Sequence, residues 1–238
     1  MKTLWVVILI IALALPAGAE TTLTGRLFSV RESITLNGLN ITDTFNVPVN
    51  WNPVEVRAAW VNPARLDLSY TYRSRRAFDG AGIPPKGFMF RDTEFQIGTG
   101  ANGVLAMSGA VQVHTVDARV LSWAPWIAPV VRWQYVDIEA SFTGKTKGGR
   151  SGDAETLTDH WTSSSVGLGA CAGWRYGAFW LEGNGLVYVN RSGHEVGVQA
   201  LYGYQNYSIG AGYRYEQNTV GPVSIQSQGP FVAVGVRF

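Results

Sequence analysis

Eleven ionisable residues fall on alternate positions of otherwise apolar segments: Glu55, Arg57, Asp67, Arg73, Arg75, Asp117, Arg119, Glu182, Arg214, Glu216 and Arg237. Both signs are mixed. Successive side chains of a strand point to opposite faces, so this spacing gathers the charges on one side of a sheet. The chemistry it permits is mutual neutralisation in a confined interior, because an isolated buried charge costs several kcal/mol. In a wider passage, the same ring of charges would select solutes.

Acid–base or nucleophilic chemistry needs a histidine held by a carboxylate near a hydroxyl or water. Three histidines are present. His114 has Asp117 three residues on, His160 follows Asp159 and precedes a Thr162–Ser165 hydroxyl run, and His194 precedes Glu195. Adjacent strand residues diverge, so neither Asp159–His160 nor His194–Glu195 is an orienting pair unless it sits in a loop. Pairing across strands stays open. A single cysteine, Cys171, excludes a disulfide framework and any cysteine-based zinc site. It shares a register with Gly167, Gly169 and Gly173, which suits a small buried residue better than a reactive thiol. Gly98-Thr99-Gly100-Ala101-Asn102-Gly103 matches a dinucleotide fingerprint only in letters, since no strand–helix unit surrounds it. Neither metal nor cofactor is expected, and the reading of the chain is non-enzymatic.

The elements that must position these charges are strands. In Arg65–Arg75, Leu66, Leu68, Tyr70 and Tyr72 alternate with Asp67, Ser69, Thr71, Arg73 and Arg75; Val54–Val61, Glu195–Tyr204, Asn206–Gln217 and Phe231–Phe238 alternate likewise. A soluble sandwich points the apolar face inward; a membrane barrel points it at lipid and keeps polar groups in the lumen. The second arrangement is favoured. The polar faces of the C-terminal strands are rich in Gly and Ala, as a crowded lumen requires. Tyr and Trp recur near strand ends, as in interfacial girdles. Beyond residue 20 no apolar run approaches the length of a membrane helix.

The spacing predicts strands near 24–34, 54–61, 65–76, 111–122, 128–142, 162–174, 178–191, 194–204, 206–217 and 228–238. The fold expected is a closed antiparallel up-and-down transmembrane β-barrel of ten strands, with eight or twelve possible because Phe90–Gly98 could add a strand. Short connections, among them Asn62-Pro63-Ala64, Ser122–Ile127, Arg175-Tyr176-Gly177 and Gln205-Asn206, then share one end, and the long ones share the other. The Asn190–His194 turn is the exception. Two segments break the pattern. In Val130–Phe142, Arg132 and Gln134 share a face with Val136 and Ile138, which requires either a bulge or a polar end above the bilayer; His114 poses a milder conflict. The long segments Ala77–Ala110 and Gly144–Asp159 are candidate contact loops, and Lys145, Lys147 and Arg150 in the second could meet lipopolysaccharide phosphates.

Residues 1–19 read as a cleaved signal peptide: Lys2, the apolar run Leu4–Leu15, then Ala17-Gly18-Ala19. Residues 20–238 read as one exported domain. A net charge of +2 gives no field for nucleic acid. The segments Val130–Phe142, Asp159–Tyr176, Tyr207–Tyr215 and Gly229–Phe238, above all the ending GPFVAVGVRF, resemble the small outer-membrane β-barrel proteins of Gram-negative bacteria, loosely the OmpA/OmpX-like barrel families. The resemblance implies an outer-membrane location, lipid and lipopolysaccharide as surroundings, and Phe238 as the signal read by the outer-membrane assembly machinery. It implies a structural or surface-interaction role around a lumen largely filled by side chains. A narrow porin-like channel is the alternative, and an enzyme acting on lipid A or peptides comes third.

Overall fold

The computed structural model describes residues 20–61, 65–96, 104–121, 126–146, 154–190 and 192–238. In chain order the elements are β1 (Glu20–Phe28), β2 (Val30–Leu36), β3 (Leu39–Asn40), a helical turn α1 (Ile41–Thr44), β4 (Asn50–Trp51), β5 (Val54–Val61) and β6 (Leu66–Gly82). They continue as β7 (Met89–Phe90), β8 (Thr93–Glu94), β9 (Leu105–Val120), β10 (Ile127–Gly144), β11 (Glu155–Tyr176), β12 (Phe179–Tyr188), β13 (Gly193–Tyr204), β14 (Tyr207–Val220) and β15 (Val223–Arg237). Ten of these, β1, β5, β6 and β9 through β15, pair antiparallel with their neighbours, and β15 closes on β1. The wall therefore has ten strands and no free sheet edge around its girth. Every backbone polar group in hydrocarbon must be bonded internally, and closure supplies those bonds. The expected signal peptide, the Asn62–Ala64 turn, the Gly98–Gly103 glycines, Lys147, Arg150 and most of the 122–127 turn lie outside the described residues.

The faces are inverted relative to a soluble barrel. Ile209, Val232, Val234, Val196 and Val198 are 49–61% exposed on the outside, while Glu55, Asp117, Gln134 and Glu216 are at most 2% exposed within. Along β14 the outward row Tyr207, Ile209, Ala211, Tyr213, Tyr215 spans about 20 Å of membrane normal at ordinary strand rise and barrel tilt. Trp174, Tyr176, Phe179, Tyr204 and Tyr207 crowd the end bearing the short turns, Glu20 and Phe238. Tyr70, Tyr72, Trp133 and Tyr135 mark the opposite boundary.

Above that boundary the pattern reverses, and this resolves the conflict in Val130–Phe142. Strand β10 runs in unbroken register with β9 from Thr143↔Ala106 to Val130↔Arg119, and with β11 from Gly144↔Glu155 to Ile127↔Ala172, so it carries no bulge. Arg132 and Gln134 face the lumen at membrane depth. Val136, Ile138, Ala140 and Phe142 face the same interior higher up, where it becomes an apolar core. Outside, Asp137 and Glu139 stand above the aromatic belt in water. The wall thus behaves as a membrane barrel below and as a soluble one above.

The strands are consequently longer than alternation alone suggests. Both ends of Ala77–Ala110 are wall, because β6 runs to Gly82 and β9 starts at Leu105; Gly144–Asp159 shrinks as β11 starts at Glu155. Residues 218–227 are not a loop but the tight β14–β15 hairpin, turning at Gly221 with φ +56°. Phe90–Gly98 adds no wall strand; β7 and β8 form a separate two-residue hairpin. The single first strand predicted at 24–34 divides at Ser29 into β1 and β2, both paired with β15.

Two inserts cap the outer end. The β2–β4 segment carries α1, whose first turn is capped by the Asn40 side chain accepting from the Asp43 N–H at 3.2 Å. Ile41, Phe45 and Val47 turn inward and meet Phe88, Phe90 and Phe95 of the 82–105 connection around Phe142. Gly80 and Gly82 make that approach possible: a Cβ at Gly82 would lie 1.8 Å from the Thr44 carbonyl oxygen.

Candidate functional site

The lumen below the cap is filled by four connected polar groups. In the first, Arg132 donates to both Asp117 oxygens at 2.6 and 2.9 Å and to Glu195 at 2.5 Å; Glu195 also accepts from Asn184 at 2.9 Å. In the second, Glu216 accepts from Arg73 at 2.6 Å, Gln134 at 3.1 Å and Asn218 at 2.5 Å. Glu55 joins it by pairing with Arg214 at 2.7 Å and lying 3.8 Å from Arg73. In the third, Arg119 and Gln199 converge on Glu182 at 3.1 and 3.3 Å, and Arg26 donates to Gln199. In the fourth, Arg57 bridges Asp67 and Ser69 at 3.3 and 3.0 Å.

Five of these contacts reach across several strands, β6 to β14, β9 to β12, β10 to β13, β14 to β5 and β1 to β13, whereas Arg57–Asp67, Arg132–Asp117 and Arg73–Glu55 join adjacent strands. Arg214 and Arg26 also lie over the Phe28 and Phe231 rings, at 4.3 and 5.4 Å. The cavity left between them is about 40 Å³, room for about three waters. One pair stands higher, under the cap: Arg76 is paired with Glu32, and Glu32 further accepts from Trp51 and Ser227 at 3.2 and 3.1 Å.

Nine of the eleven residues singled out by spacing face this interior. The other two do not. Arg75 is 58% exposed on the outer wall, paired with the half-exposed Glu139 at 3.1 Å. A register shift between Arg73 and Arg76 inserts a bulge there, which turns Arg75 outward and Arg76 inward. Arg237 points into the rim at the short-turn end, 51% exposed and 3.8 Å from Glu20.

Spacing also missed interior members. Glu195 lay on the recognised polar face of its strand and carried a readable signal. Arg132 and Gln134 were legible only once the reversal of the interior was known. Arg26 sits on the weakly patterned first strand, where the even positions Glu20, Thr22, Thr24 and Arg26 are nonetheless all polar. Glu32 and Arg76 depend on the cap and the bulge, which no local pattern announces.

The histidines stay outside the lumen. His160 Nε2 lies 2.5 Å from Asp137, a diagonal partner across β10–β11, and His114 Nδ1 lies 2.7 Å from the Tyr70 hydroxyl. Among the described residues no hydroxyl is hydrogen-bonded to the second ring nitrogen of His160. His194 stacks on Tyr215 at 5.3 Å. Cys171 is buried, and burial beside Val130 and Leu186 suits a small space-filling role. No cluster of metal-ligating side chains occurs among the described residues.

A closed ten-strand wall with an apolar exterior and an ion-paired interior defines the class: this is an outer-membrane-type β-barrel. No family model and no curated protein matches the sequence. Among solved structures the chain is similar to Ail, the attachment invasion locus protein of Yersinia pestis, at 10% identity and TM-score 0.46, covering 92% of this chain and 99% of that one. It is also similar to the outer membrane protease OmpT from Escherichia coli at 11% identity and TM-score 0.48, over 94% and 97% of the two chains. Neisserial surface protein A is a third, at 13% identity and TM-score 0.36, over 93% and 99%. The assignment to the class rests on the ladder and the faces of this chain itself.

Proposed function

We propose that this barrel is a non-conducting outer-membrane protein whose work is done at its outer surface. The observation that carries the reading is the double closure of the lumen. Paired arginines and carboxylates fill it at membrane depth, and an apolar core including Phe45, Phe95, Leu105 and Phe142 seals it above. A hydrated ion crossing would have to part buried ion pairs and then enter a dry aromatic cluster, each costing several kcal/mol. Planar-bilayer recordings on the purified protein test this. The expected record is flat at all moderate voltages; reproducible unit currents overturn the reading and favour a narrow channel.

The surface partner we propose is lipopolysaccharide. Arg75 and His160 stand outside the wall just beyond Tyr70, Tyr72 and Tyr135, at headgroup height, and Lys145 lies at the end of the adjacent loop. Guanidinium and imidazole N–H groups there suit phosphate. Glu139 and Asp137 neutralise them in part, so the contact is weak and salt-sensitive. The resemblance to small outer-membrane barrels supports a second partner, the assembly machinery, reading Phe238, which is 75% exposed at the chain end.

A further inference from the structure

The side-chain filling of the lumen stops short of the end that bears Glu20 and Phe238. Below the Glu182–Arg119 layer lies an open bowl of about 400 Å³, within the roughly 300–1,000 Å³ of small-molecule sites. It is ten times the size of the void among the ion pairs. Its wall is made by small residues, Gly203, Ala178 and Ser208, beside the apolar bodies of Trp180 and Leu201. Two guanidiniums reach it, from Arg175 and Arg237.

These cations differ from those of the lumen. Among the described residues Arg175 has one hydrogen bond, from Nε to the Gly177 carbonyl at 3.3 Å, and no carboxylate partner. Among the described residues Arg237 has only the exposed carboxylate side chain of Glu20, at 3.8 Å. Two guanidinium side chains thus face one loosely held carboxylate side chain. The backbone beneath is fixed: the Arg237 N–H donates to the Asn206 carbonyl at 2.8 Å, and the Phe238 N–H donates to the Thr21 carbonyl at 2.9 Å. The bowl combines a fixed rim, surplus guanidinium and an indole wall.

We propose that this bowl binds an organic carboxylate bearing an aromatic or aliphatic group, entering from the periplasmic side. The carboxylate takes the fork of Arg237 or Arg175, displacing Glu20, and the apolar group lies against Trp180 and Leu201. A free acid and the carboxyl terminus of a peptide share this chemistry. The site is distinct from the outer surface, so its failure leaves the reading of that surface untouched.

The test uses the full barrel in lipid nanodiscs, labelled with 5-fluorotryptophan, with the Trp180 resonance assigned by its loss in W180F. The probes are 3-phenylpropionate and N-acetyl-Ala-Ala-Phe, each beside its uncharged amide. The expected result is a saturable shift of the Trp180 resonance with an acid and none with its amide. Arg175→Ala with Arg237→Ala weakens binding at least about tenfold, the scale of a lost charge-assisted contact, and Glu20→Gln strengthens it. A response to both acids marks a general carboxylate site; a response to one names the source. Equal response to acid and amide, no response to either acid, or undiminished binding by the double variant overturns the proposal. Should that variant fail to fold, salt on the parent protein decides: binding to these exposed guanidiniums falls severalfold between 0.05 and about 0.5 M salt, and an unchanged affinity overturns it equally.

Discussion

Replacing Arg132 by Met removes the one cation shared by two buried carboxylates. Its guanidinium makes three bonds of 2.5–2.9 Å to Asp117 and Glu195, and the acids are 2% and 4% exposed. Met keeps most of the side-chain volume, so the cavity contribution is small and the electrostatic one dominates. Removing one partner of a buried pair costs about 3–5 kcal/mol, because the other charge stays buried and uncompensated. Asn184 still donates to Glu195, but Asp117 loses both of its shortest contacts. The expected loss for Arg132→Met is therefore about 3–5 kcal/mol. Adding Asp117→Leu and Glu195→Met takes away the stranded charges, and the triple variant is expected to recover to within about 1–2 kcal/mol of the parent. Urea unfolding from lipid vesicles, followed by tryptophan fluorescence and gel mobility, measures all of these. If Arg132→Met unfolds within about 1 kcal/mol of the parent, or the triple variant is worse than the single, the lumen is wet enough to solvate its charges and the reasoning fails.

Arg75→Ala, at an exposed pair, is expected to change stability by less than about 0.5 kcal/mol, against the several kcal/mol lost in Arg132→Met; the same urea series compares them. Phe142→Ala, at a fully buried wall position beneath the cap, is expected to cost about 3–5 kcal/mol, with protease accessibility of the 82–105 connection rising in intact vesicles while the wall stays resistant. Gly82→Val should expose the same connection to protease by driving Thr44 and α1 off the wall, whereas Gly25→Ala, which meets nothing within 4 Å, should leave it protected. Phe238→Ala is expected to reduce insertion into the outer membrane of cells, read by heat-modifiable migration of the membrane fraction, while refolding into vesicles in vitro stays near the parent level.

The wall at membrane depth was legible because its alternation has one physical cause at every position: lipid on one side, a shared ionic interior on the other. Leu68 and Asp67, or Ile209 and Glu216, therefore declare their faces locally. The outer third was not legible by the same rule. There the solvent changes from lipid to water, so Val136 and Ile138 on β10 belong inside although Val131 and Trp133 belong outside. The period survives while its meaning reverses. Arg75 shows a second limit, since a single inserted residue at a bulge exchanges the faces of everything beyond it. The Glu32–Arg76 pair and the carboxylate held by His160 join residues 44 and 23 positions apart through packing and register, which strand spacing alone does not encode. The ion-pair partners were of the same kind: the signs and the face were readable, the pairing across the lumen was not.

The central claim is that apolar side chains meet lipid while ionic ones fill an enclosed interior. Spin labels placed singly at positions 209, 234, 216 and 55 of a Cys171→Ser chain in lipid vesicles test it most directly. Collision with oxygen, which concentrates in acyl chains, is compared with collision with a water-soluble nickel complex. Oxygen should dominate at 209 and 234, and both should be slow at 216 and 55. Labels at 209 and 234 that are shielded from oxygen and lipid, with 216 or 55 open to the nickel complex, would place the greasy face in a dry core and contradict the account.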